Sequence, residues 1–143
     1  MSHYLRTVLA ALVTLVAVAG CTRSSVQPPY AVTIDITVCQ REYERECLYF
    51  YEHNWLVYRE AARDRGFISG YQLLRAVADS AAAVTLVLLT EYPDSLTFAR
   101  VEDNFQPMMK ELRPNGPTLL NEVQRSQFVA NQTALTMRPL NAR

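Results

Sequence analysis

Few side chains in this sequence combine acid, base or nucleophile chemistry with a setting that would use it. His53 is the first. An imidazole titrates near neutrality and serves as general acid or base, and His53 is one of two histidines in the chain. No other histidine follows it to build a histidine metal site, so no metal is expected. Two residues from Trp55, it lies off the apolar stripe of its helix, which suits a surface or interface histidine as well as a catalytic one. Asp35 is the second catalytic candidate. In Ala31 to Cys39, Val32, Ile34, Ile36 and Val38 alternate with Thr33, Asp35 and Thr37. A strand of this pattern is expected to turn its β-branched row to a core and Asp35 to the opposite, open face. A carboxylate desolvated there acts as a base; one solvated between two threonines is only a polar strand residue. Glu91, closing an apolar run, and Tyr71, in the run before it, are candidates for ligand binding on the same open side. Tyr71 also suits ordinary cross-strand packing.

The cysteines are the remaining reactive groups. Cys21 closes a segment with one arginine, Arg6, and an uncharged run of about fourteen residues, Thr7 to Gly20. That is the layout of a secretory signal, too short to span a bilayer comfortably. Val18-Ala19-Gly20-Cys21 resembles the lipobox of bacterial lipoproteins. The resemblance implies cleavage before Cys21, a thioether-linked diacylglycerol on its sulfur, and an acylated (typically palmitoylated) amino terminus. Thr22 in the next position implies an outer-membrane destination facing the periplasm where the cell has one. The expected layout is therefore a signal peptide over 1–20, a lipidated tether over 21–30 and one domain over 31–143. In an exported chain, Cys39 and Cys47 are free to pair or to remain two buried thiols.

These residues need elements to position them. Arg41 to Arg65 reads as one amphipathic helix, with Leu48, Tyr51, Trp55, Tyr58 and Ala62 spaced three, four, three and four apart. Gly66 stops it, and Phe67 to Leu74 and Val84 to Glu91 read as strands. Asp94 or Ser95 caps a second helix with the stripe Phe98, Val101, Phe105, Met108 and Leu112, which Pro107 should bend or split. Thr118 to Phe128 suits a short third helix with Leu120 and Val123 inward, and Gln132 to Leu140 a final strand anchored by Leu135 and Met137. Strand, helix, strand, strand, helix, strand is the α+β order of the ferredoxin-like split β-α-β: four antiparallel strands with two main helices on one face.

Cleavage would remove Arg6 from 14 basic residues, leaving 13 against 14 acidic ones. With no basic run or aromatic-basic patch, nucleic acid is not an expected partner.

Three stretches, His53-Asn54-Trp55 with Tyr58-Arg59, Gly66 to Tyr71, and Leu88 to Tyr92, make residues 32–112 similar to the dimeric α+β barrel superfamily. That resemblance implies a homodimer whose open sheet faces enclose a barrel, with Asp35, Tyr71 and Glu91 towards its cavity. Members include small quinol monooxygenases, isomerases and haem-degrading enzymes. The Asn, Trp and His used by some of the latter are here consecutive, diverging by about 100° per residue, so they cannot converge on one ligand. No cofactor is expected. The expectation is a lipid-anchored envelope protein binding a small apolar or aromatic ligand, or a protein partner. The alternative is a cofactor-independent monooxygenase- or isomerase-like enzyme with Asp35 or His53 as base.

Overall fold

A central strand, β1 (Ala31–Gln40), pairs antiparallel with β3 (Ala83–Tyr92) on one side and β4 (Val129–Met137) on the other. The second strand, β2 (Gly70–Arg75), lies outside β3, so the sheet order is β2-β3-β1-β4. Helical segments join β1 to β2 and β3 to β4. The result is the antiparallel ferredoxin-like α+β topology that the order of elements predicts. The computed structural model describes residues 28–76 and 83–140. The signal-peptide and lipobox readings fall within residues 1–27 and lie outside the described residues.

The two faces of β1 are reversed from the expectation. Ala31, Thr37 and Cys39 are fully buried, while Val32, Ile34, Ile36 and Val38 are only half-buried. Register carries the same parity across the sheet. Thr33, Asp35, Thr37 and Cys39 sit opposite Thr90, Leu88, Leu86 and Val84, all buried beneath the helices. Bulk explains the inversion. The helix layer brings Tyr51, Trp55 and Phe128 into the cluster that buries Cys39, and rings of that size favour the smaller of β1's two rows beneath them. Cys39 and Cys47 form a disulfide in that core, with Cα atoms 6.4 Å apart.

The first helical region follows β1 as a 3-10 turn (Arg41–Tyr43), α1 (Glu44–Phe50), a π turn (Tyr51–Trp55) and α2 (Leu56–Asp64). The π turn carries more residues than an α turn, which brings Tyr51, Asn54 and Trp55 inward together. Gly66, at φ 72°, takes the left-handed conformation that ends the helix.

The second helical region is α3 (Ser95–Ala99) followed by α4 (Val101–Leu112). The break falls at Arg100, and Pro107 sits inside α4 without splitting it, contrary to the expected interruption. Pro107 and Asp103 are both exposed, so water can serve the Asp103 carbonyl that the missing amide leaves without its donor. The α3 cap is as expected: the Asp94 carboxylate accepts from the Thr97 amide at 2.8 Å, which holds Asp94 below the usual carboxylate range.

After α4 the expected third helix shrinks to α5 (Arg125–Phe128). Residues 118–124 are irregular because Asn121 and Glu122 both take positive φ, 52° and 58°, closing a tight turn with Val123 N–H bonded to Leu120 O. Leu135 and Met137 do not anchor β4 inward. They are 48% and 54% exposed on the face away from the helices. Phe128, just before β4, is the buried anchor instead, tilted against Phe50 at 5.5 Å between ring centroids. We expect Phe128→Ala to cost about 3–5 kcal/mol of stability, the cost of emptying an aromatic core site, read as a lower denaturant midpoint in equilibrium unfolding.

Candidate functional site

Two surfaces of the sheet have different chemistry, and the candidate residues divide between them. The open face is built from alternate residues of all four strands. Its centre is Val32, Ile34, Ile36 and Val38, flanked by Val87 and Leu89 from β3, Leu135 and Met137 from β4, and Leu74 from β2. Thr85, Thr133, Asn131 and Gln72 complete the rows, and Glu91 is their one ionisable residue. Leu74 is 47% exposed there. Glu91 occupies a corner, paired with both Val32 and Gly70. A Cβ on Gly70 would stand 2.5 Å from the Glu91 Oε2 atom, so the missing side chain is what lets this carboxylate fold across β2.

Asp35 is not on this face. It lies on the helix side, opposite Leu88 and Ala134. Tyr71 lies on the same side, opposite Thr90, with its ring edge-on to Trp55 at 6.1 Å and the Arg63 guanidinium 5.5 Å from its centroid. The expectation that both point into the open side is corrected by the parity of β1.

Between helix and sheet, Arg59 reaches inward from α2. Its Nε donates to Thr90 Oγ1 at 2.9 Å, and its guanidinium carbon lies 4.9 Å from the Trp55 ring and 4.6 Å from that of Phe105. Burial lowers the Arg59 pKa, while Tyr92 and the charge of Asp35 oppose that shift. No ion pair joins Asp35 to Arg59 among the described residues; the guanidinium is held by two aromatic faces and a hydroxyl. Neither spacing nor composition announced this group, because Arg59 and Trp55 lie four apart on the helix but Phe105 and Thr90 come from elsewhere.

His53 lies apart from both surfaces. It is exposed, stacked on Tyr49 at 3.9 Å between centroids, and its Nδ1 donates to the Tyr49 carbonyl at 3.0 Å. Its neighbour Asn54 is fully buried. The Asn54 side-chain amide donates to Thr118 O at 2.9 Å and accepts from Thr118 N–H at 2.7 Å, and it also donates to Phe50 O at 3.0 Å. Asn54 therefore pins the irregular segment before α5 as a neighbouring strand would. His53, Asp35, Tyr71 and Glu91 do not converge, and no cluster of three or more metal-ligating side chains occurs among the described residues.

The sheet order and pairing define a ferredoxin-like α+β domain with one helix-covered face and one open apolar face. No family model and no curated protein matches the chain. Among solved structures it is similar to the solution NMR structure of a de novo designed protein with ferredoxin fold. That likeness has 14% identity and a TM-score of 0.29, covering 66% of this chain and 88% of that one. At that score the likeness adds nothing to the topology, which stands on the strand pairing.

Tyr92 closes the helix-covered face. Burial raises its phenol pKa against the opposing hydrogen bond with Thr33 and the charge of Arg59; Asp35 and Glu102 add to the rise. The native state therefore keeps this proton to higher pH than the unfolded chain, which releases it near pH 10. Above that pH the unfolded chain holds fewer protons, so stability falls as pH rises. Tyr92→Phe should make the fall above about pH 10 shallower in denaturant titrations, with part retained because burial raises Tyr58 too.

Proposed function

We propose that this protein is a lipid-anchored cell-envelope module that works as a homodimer, two open sheet faces enclosing a site for a small apolar or aromatic ligand. One observation carries this reading: the open face displays rows of Val, Ile, Leu and Met with Glu91 as their one ionisable group. An apolar surface of this kind favours removal from water. Four strands about 4.8 Å apart, six to ten residues long at about 3.3 Å each, give a face of roughly 550 Å² in projection. Side-chain relief brings that near the ~800 Å² per partner of a standard interface.

The enzyme alternative loses its strongest residue here. Asp35 lies half-buried on the helix side of the sheet, and Glu91 sits at the open face's corner. A surface almost without acid, base or nucleophile suits holding a ligand better than transforming it. The anchor rests on the resemblance of Val18 to Cys21 to a lipobox.

Two measurements test the reading. Cys21→Ser should move the chain from the membrane to the soluble fraction in cell fractionation; retention on the membrane would remove the acyl anchor. The released chain should have the mass of a dimer by light scattering. A charge at the centre of the open face, Ile36→Glu, should then give a monomer with unchanged far-ultraviolet circular dichroism and weaken dimerisation by at least tenfold, about 1.4 kcal/mol. A monomer before that substitution would overturn the facing-sheet reading.

A further inference from the structure

Five large apolar side chains are conspicuously exposed among the described residues: Leu74, Leu96, Leu135, Met137 and Leu140. Leu74, Leu135 and Met137 belong to the open sheet face. The other two, Leu96 at 58% and Leu140 at full exposure, lie off that face, and both stand at the same end of the domain. Register fixes the end. Ala31 opens β1 opposite Tyr92, the last residue of β3, and Val32 is opposite Met137, the last residue of β4. Leu96 follows Tyr92 by four residues and Leu140 follows Met137 by three.

The amino-terminal segment enters at this end. Tyr30 N–H donates to Tyr92 O at 2.8 Å; its ring lies 6.3 Å from that of Phe98, with the Arg138 guanidinium 4.9 Å from its centroid. Phe98 in turn packs edge-on to Tyr92 at 5.2 Å. The chain is therefore held firmly where it joins the domain. Cys21 precedes Pro28 by seven residues, which extended reach at most about 25 Å. An acyl anchor at Cys21 keeps this end, and not the opposite one, close to the bilayer.

We propose that the tether end of the domain, through Leu96 and Leu140, docks on the lipid surface and sets the sheet upright on the membrane. This inference rests on the acyl-anchor reading of Cys21. Two exposed leucines beside a short acylated tether suit the apolar boundary beneath the headgroups. In the segments around Leu96 and Leu140, the cations Arg100 and Arg138 stand beside the acidic Asp94, Glu102 and Asp103, so no net positive charge draws this end to anionic lipid and apolar contact carries the docking. The contact therefore needs no anionic lipid.

The test uses the full acylated protein in phosphatidylcholine vesicles. Leu96→Cys, Leu140→Cys and, at the opposite end, Glu42→Cys each receive one environment-sensitive fluorophore, since Cys39 and Cys47 are joined. Labels at 96 and 140 should shift to the blue and be quenched by lipids carrying a shallow nitroxide, with the label at 42 unaffected. Adding phosphatidylglycerol should leave the pattern unchanged. Vesicles that carry the protein by flotation but quench none of the labels, or all three equally, would overturn the docking and leave the anchor standing. Failure to float would overturn both.

Discussion

The alternation of β1 governs the molecule. A strand can give only one of its two rows to the helix layer, and β1 gives the row of Ala31, Thr33, Asp35, Thr37 and Cys39. Once that choice is made, the helices must supply the bulk, and they do so with Tyr51, Trp55 and Phe128. The β-branched row has nowhere to go but outward. Because β1 is bonded to β3 and β4, the same outward parity passes to Val87 and Leu89 on one side and to Leu135 and Met137 on the other. The apolar open face is thus a consequence of ring packing on the other side of the sheet.

The covered face of the sheet holds two buried hydroxyls, Thr37 and Thr90, and both have partners. Thr37 is within 3.5 Å of the Tyr51 hydroxyl, and Thr90 accepts from Arg59. Buried hydroxyls cost stability only when left without partners. Asn54 extends the same logic to the backbone, supplying both a donor and an acceptor to Thr118, where no strand is present to do so. The two aromatic faces around Arg59 let a cation sit at the helix–sheet boundary without a carboxylate in direct contact.

Much of this was legible in the residues. The period of β1, the stripes ending in Ala62 and Leu112, the Asp94 cap and the Gly66 stop all follow from local chemistry. Which row of β1 faces the helices did not, because a β-branched row beside a threonine row reads as core by hydropathy alone. The deciding fact is the volume of rings that arrive from other elements. The π turn has no local signature either; it shows in the burial of Asn54, a residue that the three-four spacing leaves off the stripe. Pro107 misleads in the opposite direction, because its cost depends on whether water can reach the Asp103 carbonyl. Of the site candidates, Glu91 could be placed on the open face from alternation within its own strand. Asp35 and Tyr71 inherited the error made at β1.

The position of β1 has a mechanical consequence. Any load carried by residues before Ala31 enters the domain along the axis of its central strand. The ladders to β3 and β4 run perpendicular to that axis, so tension along β1 must shear both together; an edge strand under the same pull would shear only one. At the far end of the strand, Cys39 is covalently joined to Cys47, so force passing through β1 is handed to α1. Residues before Ala31 therefore join the sheet along a strand that is bonded on both sides.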